Sequence, residues 1–236
     1  MDTTNRTLLV VEDNRVLSQL YKNFCELAMY ELSKEGLPSK ANVKQAYNYT
    51  EASNILKSQQ GIDFMSVDLS LQDYTQTSKE KDRIARKDID GIVLLKELRE
   101  SKRRTLAVIV SGEGLLSYSI DVLRKYGVLA YFEKSRLDLE KYKHTLKAAL
   151  WYLEADQIIR KLGQGAGELD NLGTAGAYWI KALESAKKAE IDERNLPDDL
   201  GAIMSSIRHT YADPAAQLSA HALADQDLKE KAVGGK

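Results

Sequence analysis

Several residue types that brace or bend small folds are scarce in this chain of 236 residues. It has one cysteine, Cys25, along with three prolines and three histidines. A single cysteine excludes an internal disulfide, which fits a reducing compartment, and we expect a cytoplasmic protein. The histidines His144, His209 and His221 lack the close spacing of zinc ligands, so we expect no zinc site.

Long apolar runs and an excess of one charge are missing as well. No run approaches the roughly 18 apolar residues of a membrane helix, and the N-terminus has no basic, apolar export signal, so we expect no membrane partner. Lys and Arg number 34 against 35 Asp and Glu, a net charge of −1. This balance gives no general attraction to nucleic acid, and no DNA-binding motif is evident.

What the first 150 residues do contain is an alternation of short apolar runs with amphipathic helical patterns. The five runs are Thr7–Val11, Ala41–Tyr47, Ile62–Val67, Leu106–Val110 and Val128–Phe132. Helical spacing follows most of them, with Thr50 as the expected cap of the second helix and a fourth helix expected over about 115–125. This order predicts an α/β fold with a doubly wound, five-stranded parallel sheet.

The remainder of the chain has a helical pattern without a recognisable output motif. The last helix of the α/β region continues past residue 150, and five glycines between 163 and 176 indicate a flexible linker. We therefore expect a domain over 1–150, an extended helix and Gly-rich linker over 151–176, and an α-helical region of unknown role over 177–236.

Polar side chains follow four of the five predicted strands. They are Glu12 and Asp13 after the first, Asp68 after the third, Ser111 after the fourth and Lys134 after the fifth. Ligands of open α/β sheets lie beyond the carboxyl ends of the strands, so these groups should converge. Three adjacent carboxylates repel one another without a cation, and oxygen ligands of this kind suit Mg²⁺.

This ordered set resembles the receiver domain of two-component response regulators, over about residues 6–150. The resemblance implies a flavodoxin-like sheet with strand order 2-1-3-4-5 and Asp68 as the phosphoacceptor. It implies Mg²⁺ held by Glu12, Asp13, Asp68 and the main-chain carbonyl of Ser70. It also implies a phosphate-binding and switch group, which consists of Ser111, Gly112, Tyr131 and Lys134.

One loop departs from the pattern of this family. A charged segment over about 72–88 separates the strand before Asp68 from the next helix, where connections of roughly two to six residues are common. The family's frequent proline after the phosphoacceptor is absent too. The insertion could shield the site, change the access of a kinase or bind a partner, and the sequence does not choose among these.

The function implied by the resemblance is that of a response regulator in a phosphorelay. A histidine kinase, a phosphotransfer protein or a small phosphodonor would supply the phosphoryl group. Ser111 and Tyr131 would then move and change a protein-interaction surface. A homodimer could form through the fourth- and fifth-helix face or through the extended fifth helix. We expect no separate enzymatic output.

Three alternatives stay open at this point. A receiver-like scaffold or adaptor would keep the fold and work without phosphorylation, and the long loop beside Asp68 motivates it. A phosphatase with Asp68 as covalent nucleophile is disfavoured, because the second acid two residues later, used as general acid, is missing. A phosphorelay role for His209 is disfavoured because its neighbours do not match a histidine phosphotransfer motif.

Overall fold

The architecture is taken from a computed structural model of the full chain. It describes residues 4–37, 39–58, 61–71, 90–101, 105–112, 126–163 and 171–191. The insertion predicted at 72–88 and the helix predicted over 115–125 lie outside the described residues. The same holds for everything after residue 191, including His209 and His221.

Five strands and five α-helices make up the described part of the chain. In order they are β1 (Thr4–Val11), α1 (Arg15–Lys34), β2 (Ser39–Ala46), α2 (Tyr49–Ser58), β3 (Phe64–Val67), α3 (Asp90–Glu100), β4 (Leu106–Ser111), β5 (Val128–Glu133), α4 (Leu139–Gly163) and α5 (Asn171–Lys188). A short 3-10 turn, Lys134–Arg136, follows β5. None of the described helices combines the length and the apolar run required to span a membrane.

The sheet confirms the predicted fold class. All four strand pairings are parallel, and the order is β2-β1-β3-β4-β5. This is the flavodoxin-like, doubly wound arrangement, in which the central strands are buried on both faces. Every residue of β3 and β4 is buried accordingly.

Helices cover both faces of this sheet. On one face, α2 and α3 pack through Leu56, Leu94 and Leu98 against a cluster that includes Met65 and Val67 of β3. On the other face, α1 and α4 contact the strands and each other. The core on each side of the sheet therefore holds the strand ends in a fixed relation to one another.

Short polar motifs begin the first two helices. The side chain of Asn14 accepts hydrogen bonds from the N–H groups of Val16 and Leu17 at the start of α1. Helix α2 is capped by Asn48, so the prediction of Thr50 as its cap is wrong. Asn48 Oδ1 accepts from the Glu51 N–H at 2.8 Å, and the Glu51 carboxylate accepts from the Tyr47 N–H at 2.8 Å. This exchange places the cap two residues before Thr50.

Helix α4 is the extended helix that the sequence predicts, and α5 lies along it. The Trp151 and Tyr178 rings are 4.9 Å apart and those of Tyr152 and Trp179 are 5.8 Å apart. Lys181 Nζ lies 4.2 Å from the centre of the Trp151 ring. Trp151 and Tyr152 are buried by these contacts, so this part of α4 is covered within the chain.

The Gly-rich segment is partly helical, contrary to the prediction of a linker up to residue 176. Gly173 and Gly176 lie inside α5, which begins at Asn171. Burial of Ala175, Trp179 and Ala182 along α5 explains the difference, because tertiary packing outweighs the low helix propensity of glycine.

All described residues belong to one compact unit, which runs from Met1 to Leu196. Helix α4 passes through residue 150 without a break, and the last turn of α5 reaches back toward the sheet. There Ala186, Ala189 and Ile191 cluster with Ala148 of α4 and pack against Ala130 of β5. The division into segments 1–150, 151–176 and 177–236 stays a prediction.

A buried ion-pair network joins the amino end of the sheet to α4. The Arg6 guanidinium on β1 contacts Glu154 Oε1 at 2.8 Å, Asp63 Oδ1 at 2.9 Å and Gln157 Oε1 at 2.9 Å. Arg6 and Glu154 are both buried. A buried charge that loses its partner costs far more than an exposed one, so this network should fix the second half of α4.

Replacing Glu154 with alanine should destabilise the fold by about 3 kcal/mol, because it leaves the Arg6 guanidinium buried with one charged partner fewer. Chemical denaturation measures this change in the free energy of unfolding. The matched control is Lys141→Ala, which removes the exposed ion pair with Glu190 and should cost less than about 1 kcal/mol. Equal effects of the two substitutions would contradict the assignment.

Candidate functional site

The strand ends bring the predicted acidic residues to one edge of the sheet. Glu12 follows β1 and its N–H donates to Ala46 O of β2 at 3.0 Å. Asp68 follows β3 and its N–H donates to Val11 O of β1 at 2.9 Å. Each residue thus extends a hydrogen-bonded ladder by one position, so the backbone fixes both carboxylates. Both side chains are buried.

Lys134 connects the two carboxylates. Its Nζ lies 2.7 Å from Asp68 Oδ2, 2.9 Å from Glu12 Oε1 and 2.8 Å from Glu12 Oε2. Both oxygens of the buried Glu12 carboxylate therefore lie against the Lys134 ammonium group. Lys134 comes directly after β5, which lies on the far side of β4 from β3. Its side chain therefore reaches past the end of β4 to contact Asp68 and Glu12.

Asp13 completes an acidic triple with Glu12 and Asp68. One carboxylate oxygen from each of the three residues lies within 4.8 Å of the others. Three carboxylates against one ammonium leave a net charge of −2 when all are ionised. Three clustered carboxylates with oxygen ligands and a net negative charge fit a divalent cation such as Mg²⁺. Glu12, Asp13 and Asp68 are the residues that could hold it.

The electrostatic state of the site follows from its burial. Burial raises the pKa of Glu12 from 4.5 to about 7; the nearby Asp68 adds to this, whereas Lys134 opposes it. Burial alone would lower the pKa of Lys134, but hydrogen bonds to Asp68 and Glu12 outweigh it and the net shift is upward. Lys134 therefore stays charged, and Glu12 carries its charge only at a cost.

Backbone groups near the site hold the carboxylates in place. The Asn14 N–H donates to Glu12 Oε1 at 3.2 Å, and the Ser70 N–H donates to Asp68 Oδ1 at 3.2 Å. Both oxygens of Asp68 therefore have a donor. The prediction that the Ser70 carbonyl binds a metal stays a prediction.

A tyrosine lies under the acidic cluster in the core. Tyr21 of α1 is buried, and its pKa is raised to about 12 by burial first and then by the charge of Glu12. Its ring centre is 5.8 Å from that of Tyr142 on α4. The phenol stays protonated at neutral pH, so it contributes no further charge to the site.

The other residues predicted for the site occupy β4 and β5. Ser111 ends β4, is fully buried and pairs in register with Glu133 of β5. At Gly112, the only described atom that an added Cβ would meet within 4 Å is Lys134 Cδ, at 3.9 Å. Tyr131 pairs with Ile109 and packs against the core cluster beneath α2 and α3.

These positions put Ser111, Gly112 and Lys134 at the same edge of the sheet as Asp68. The role of Ser111, Gly112, Tyr131 and Lys134 in phosphate binding and switching stays a prediction.

Gly91 is a residue that the site needs and that was not among the predicted site residues. A Cβ at Gly91 would lie 2.3 Å from Asp68 O and 2.7 Å from Leu69 Cα. The Gly91 N–H also donates to Leu69 O at 3.1 Å. The first turn of α3 thus rests directly on the backbone that carries Asp68, and only glycine allows this approach.

Two further residues escaped prediction for different reasons. Asn14 both caps α1 and donates to Glu12, and its place directly before a helical pattern is the usual signal of an N-cap. Tyr21 lies at ordinary core spacing in α1, and nothing in that spacing indicates that acidic groups lie above it. Its relation to the site depends on tertiary structure alone.

The likeness of this chain to known proteins is found in structure and not in the sequence comparisons. No protein-family model matches the chain, and none of the curated proteins matches it. Solved structures do resemble it. One is the N-terminal domain of a response regulator/sensory box/GGDEF three-domain protein from Carboxydothermus hydrogenoformans. It is 16% identical, with a TM-score of 0.44, over 64% of this chain and 98% of that one.

Two others are named as receiver domains. The receiver domain of the Francisella response regulator 1452 is 20% identical, with a TM-score of 0.42, over 62% of this chain and 97% of that one. The signal receiver domain of an HD domain-containing protein from Pseudomonas fluorescens Pf-5 is 18% identical, with a TM-score of 0.46, over 66% and 95%.

Substituting Gly91 with alanine should lower the free energy of unfolding by about 1–3 kcal/mol, because the added Cβ meets backbone atoms that can shift only with the loop after Asp68. Chemical denaturation checks this. The control is Gly176→Ala in α5, where a Cβ would meet nothing among the described atoms. That change should stabilise by about 0.5–1 kcal/mol. A neutral Gly91→Ala would contradict the close approach.

The raised pKa of Glu12 predicts a pH dependence of stability in metal-free protein. Between pH 4.5 and about 7 the folded state retains a proton that the unfolded state has released. A rise in pH through this window should therefore destabilise the fold, by at most about 1.4 kcal/mol per pH unit. Glu12→Gln should lack this component. Denaturation in chelator at several pH values tests it, and parallel curves for the two proteins would contradict it.

Proposed function

We propose that this chain is a response regulator whose receiver domain accepts a phosphoryl group on Asp68. The observation that carries the proposal is the contact of Lys134 with both Asp68 and Glu12 at the carboxyl edge of the sheet. A buried carboxylate with an ammonium group 2.7 Å away can act as a nucleophile toward phosphorus, since the cation stabilises incoming phosphoryl oxygens.

Asp68 is the proposed nucleophile for two reasons. It lies between the residues at the ends of β1 and those at the ends of β4 and β5, because β3 is the central strand of the sheet. Its backbone is also braced by the Val11 carbonyl and by Gly91 of α3. A nucleophile held by the backbone loses little freedom on reaction, and this favours attack in a fixed geometry.

The reaction forms one bond to phosphorus and breaks another. An oxygen of Asp68 bonds to the phosphorus atom, the bond from phosphorus to the donor breaks, and the leaving group departs with its electron pair. Lys134 would exchange its contact with Asp68 Oδ2 for a phosphoryl oxygen. The product is an acyl phosphate on Asp68.

Glu12, Asp13, Asp68 and the carbonyl of Ser70 are the proposed Mg²⁺ ligands, and the clustering of the three carboxylates supports this set. The ion, when bound, supplies positive charge that offsets the carboxylates and the phosphoryl oxygens. Glu12 must be ionised to take part, and the ion would favour that form.

Conversion of phosphorylation into a signal is assigned to the residues at the ends of β4 and β5. Ser111 would bond to a phosphoryl oxygen in the space beside Gly112, and Tyr131 would change its packing. Adding a doubly charged group beside Lys134 supplies the free energy for such a change. A histidine kinase or a phosphotransfer protein is the proposed donor.

Incubation of the full chain with acetyl phosphate and Mg²⁺ tests the acceptor. We expect the intact mass to increase by one phosphoryl group, and we expect hydroxylamine to remove it. Asp68→Asn should not gain the mass, because an amide cannot form an acyl phosphate. The matched control is Asp138→Asn, at the N-terminus of α4, which keeps a side-chain acceptor for Glu140 and Lys141 and should be modified normally.

Two outcomes would contradict the proposal. An adduct that persists in Asp68→Asn would move the acceptor to another residue. No adduct under any Mg²⁺ concentration, together with unchanged partner binding by Asp68→Asn, would instead favour the scaffold or adaptor that works without phosphorylation.

A further inference from the structure

Helix α1 is apolar on two opposite faces, and only one of them packs on the sheet. Its opposite face carries four of the five exposed large apolar side chains in the described residues: Val16 at 78%, Leu20 at 37%, Leu27 at 44% and Tyr30 at 58% exposure. Together with the exposed Asn23 between them, these residues form what we call the exposed seam. Single exposed apolar residues are ordinary, but a continuous row of them marks an interaction surface.

The spacing of the exposed seam is that of a helix-to-helix contact. Its five positions are separated by four, three, four and three residues, the alternation by which two helices pack side by side. The row runs for about 21 Å along α1. The buried positions of the helix, such as Tyr21, Cys25 and Leu32, lie on the other side. The row therefore has no role in packing α1 on its own sheet.

The order of residues along the exposed seam reads nearly the same in both directions from Asn23. Leu20 and Leu27 lie three and four residues from it, and Val16 and Tyr30 each lie seven residues from it. We propose that the exposed seam binds α1 of a second copy of this chain in antiparallel orientation, with the two-fold axis at Asn23. Such an interface is isologous, and a seam that is near-symmetric about its own centre matches its own reversed copy.

Asn23 suits a position on the axis. Its side-chain amide carries both a donor and an acceptor, so two copies can bond to each other. Within one copy, Asn23 Oδ1 accepts from Gln19 Nε2 at 2.8 Å, and its own NH₂ group remains able to donate. A polar residue at one position of an apolar helix seam is a known means of fixing register and orientation.

The charges beside the exposed seam are complementary under the same symmetry. Lys22 and Glu26 lie 3.7 Å apart on α1, where the Lys22 side chain is 30% exposed and that of Glu26 is 54% exposed. Antiparallel pairing about Asn23 brings Lys22 of one copy toward Glu26 of the other, twice per dimer. A parallel pair would set like residues side by side and lose this match. Antiparallel helices also oppose their dipoles favourably.

The proposed dimer should be weak and reversible. A standard stable interface buries about 800 Å² per partner, more than a single helix seam of this length supplies. We therefore expect dissociation in the micromolar range. This inference does not depend on phosphorylation of Asp68.

Sedimentation velocity of the full chain over a range of concentrations tests self-association. We expect a concentration-dependent shift from monomer to dimer, which Leu27→Lys abolishes. The matched control is Ile180→Lys, the exposed apolar residue outside the exposed seam, which should leave the shift unchanged. A wild-type chain that stays monomeric well above micromolar concentration overturns the proposal, and so does an unaffected Leu27→Lys.

Exchanging the charges of Lys22 and Glu26 distinguishes loss of the interface from loss of folding. Lys22→Glu and Glu26→Lys should each weaken the dimer, because each sets like charges against each other across the interface. The double substitution should restore it, since every copy then carries the reversed pair. Failure of the double substitution to restore association would exclude the antiparallel contact.

Cysteine cross-linking tests the orientation directly, because the single native Cys25 is fully buried. Asn23→Cys should form a disulfide between copies under mild oxidation. Val16→Cys should not, because Val16 lies opposite Tyr30, but it should cross-link to the Tyr30→Cys protein. A Val16→Cys protein that cross-links to itself indicates a parallel pair and overturns the proposal.

Two other occupants of the exposed seam would give different results. If a kinase helix occupies it, Leu27→Lys should impair transfer from that kinase while the mass in solution stays that of a monomer at every concentration. If residues after 191 of the same chain cover it, association should be absent and Leu27→Lys should lower stability. Either result contradicts the dimer but leaves the acetyl phosphate test of Asp68 untouched.

Discussion

The contact of one ammonium group with two buried carboxylates is the constraint on which the site depends. Lys134 Nζ lies within 2.9 Å of both Glu12 and Asp68, and without it two buried negative charges would stand beside each other. Burial already raises the pKa of Glu12 to about 7. The cost of keeping Glu12 charged therefore comes mainly from its burial, and Lys134 reduces that cost.

The fold provides that constraint through strand order. Because β3 lies between β1 and β4, the residues that follow β1, β3 and β5 meet although they are far apart in the chain. The helices add precision: Asn14 at the start of α1 donates to Glu12, and Gly91 at the start of α3 rests on the backbone of Asp68. The far end of the sheet is tied to α4 by Arg6 and Glu154. The ion pair that ties α4 to the sheet and the acidic site thus lie at opposite ends of the strands.

The sequence predicted the parts of this arrangement that local chemistry determines. Buried strands end at polar residues, so the sheet and the convergence of Glu12, Asp68 and Lys134 could be foreseen. The contacts of Gly91 and Tyr21 could not, because they depend on which helix lies over which strand. Gly173 and Gly176 were assigned to a linker for a related reason: glycine argues against a helix until a partner helix buries its neighbours. Asn48 caps α2 instead of Thr50 because its side chain accepts a hydrogen bond from the Glu51 N–H, while the Glu51 carboxylate accepts one from the Tyr47 N–H.

The central claim is that the Lys134 ammonium group, in the free protein, neutralises part of the carboxylate charge that Mg²⁺ would also neutralise. The most direct test is the dependence of the unfolding free energy on Mg²⁺ at pH 8, for wild type and for Lys134→Met. A ligand that binds only the folded state stabilises it in proportion to its affinity. We predict that Mg²⁺ stabilises Lys134→Met more than wild type, because the competing ammonium is gone. Equal stabilisation of the two proteins, or none of either, would contradict the account.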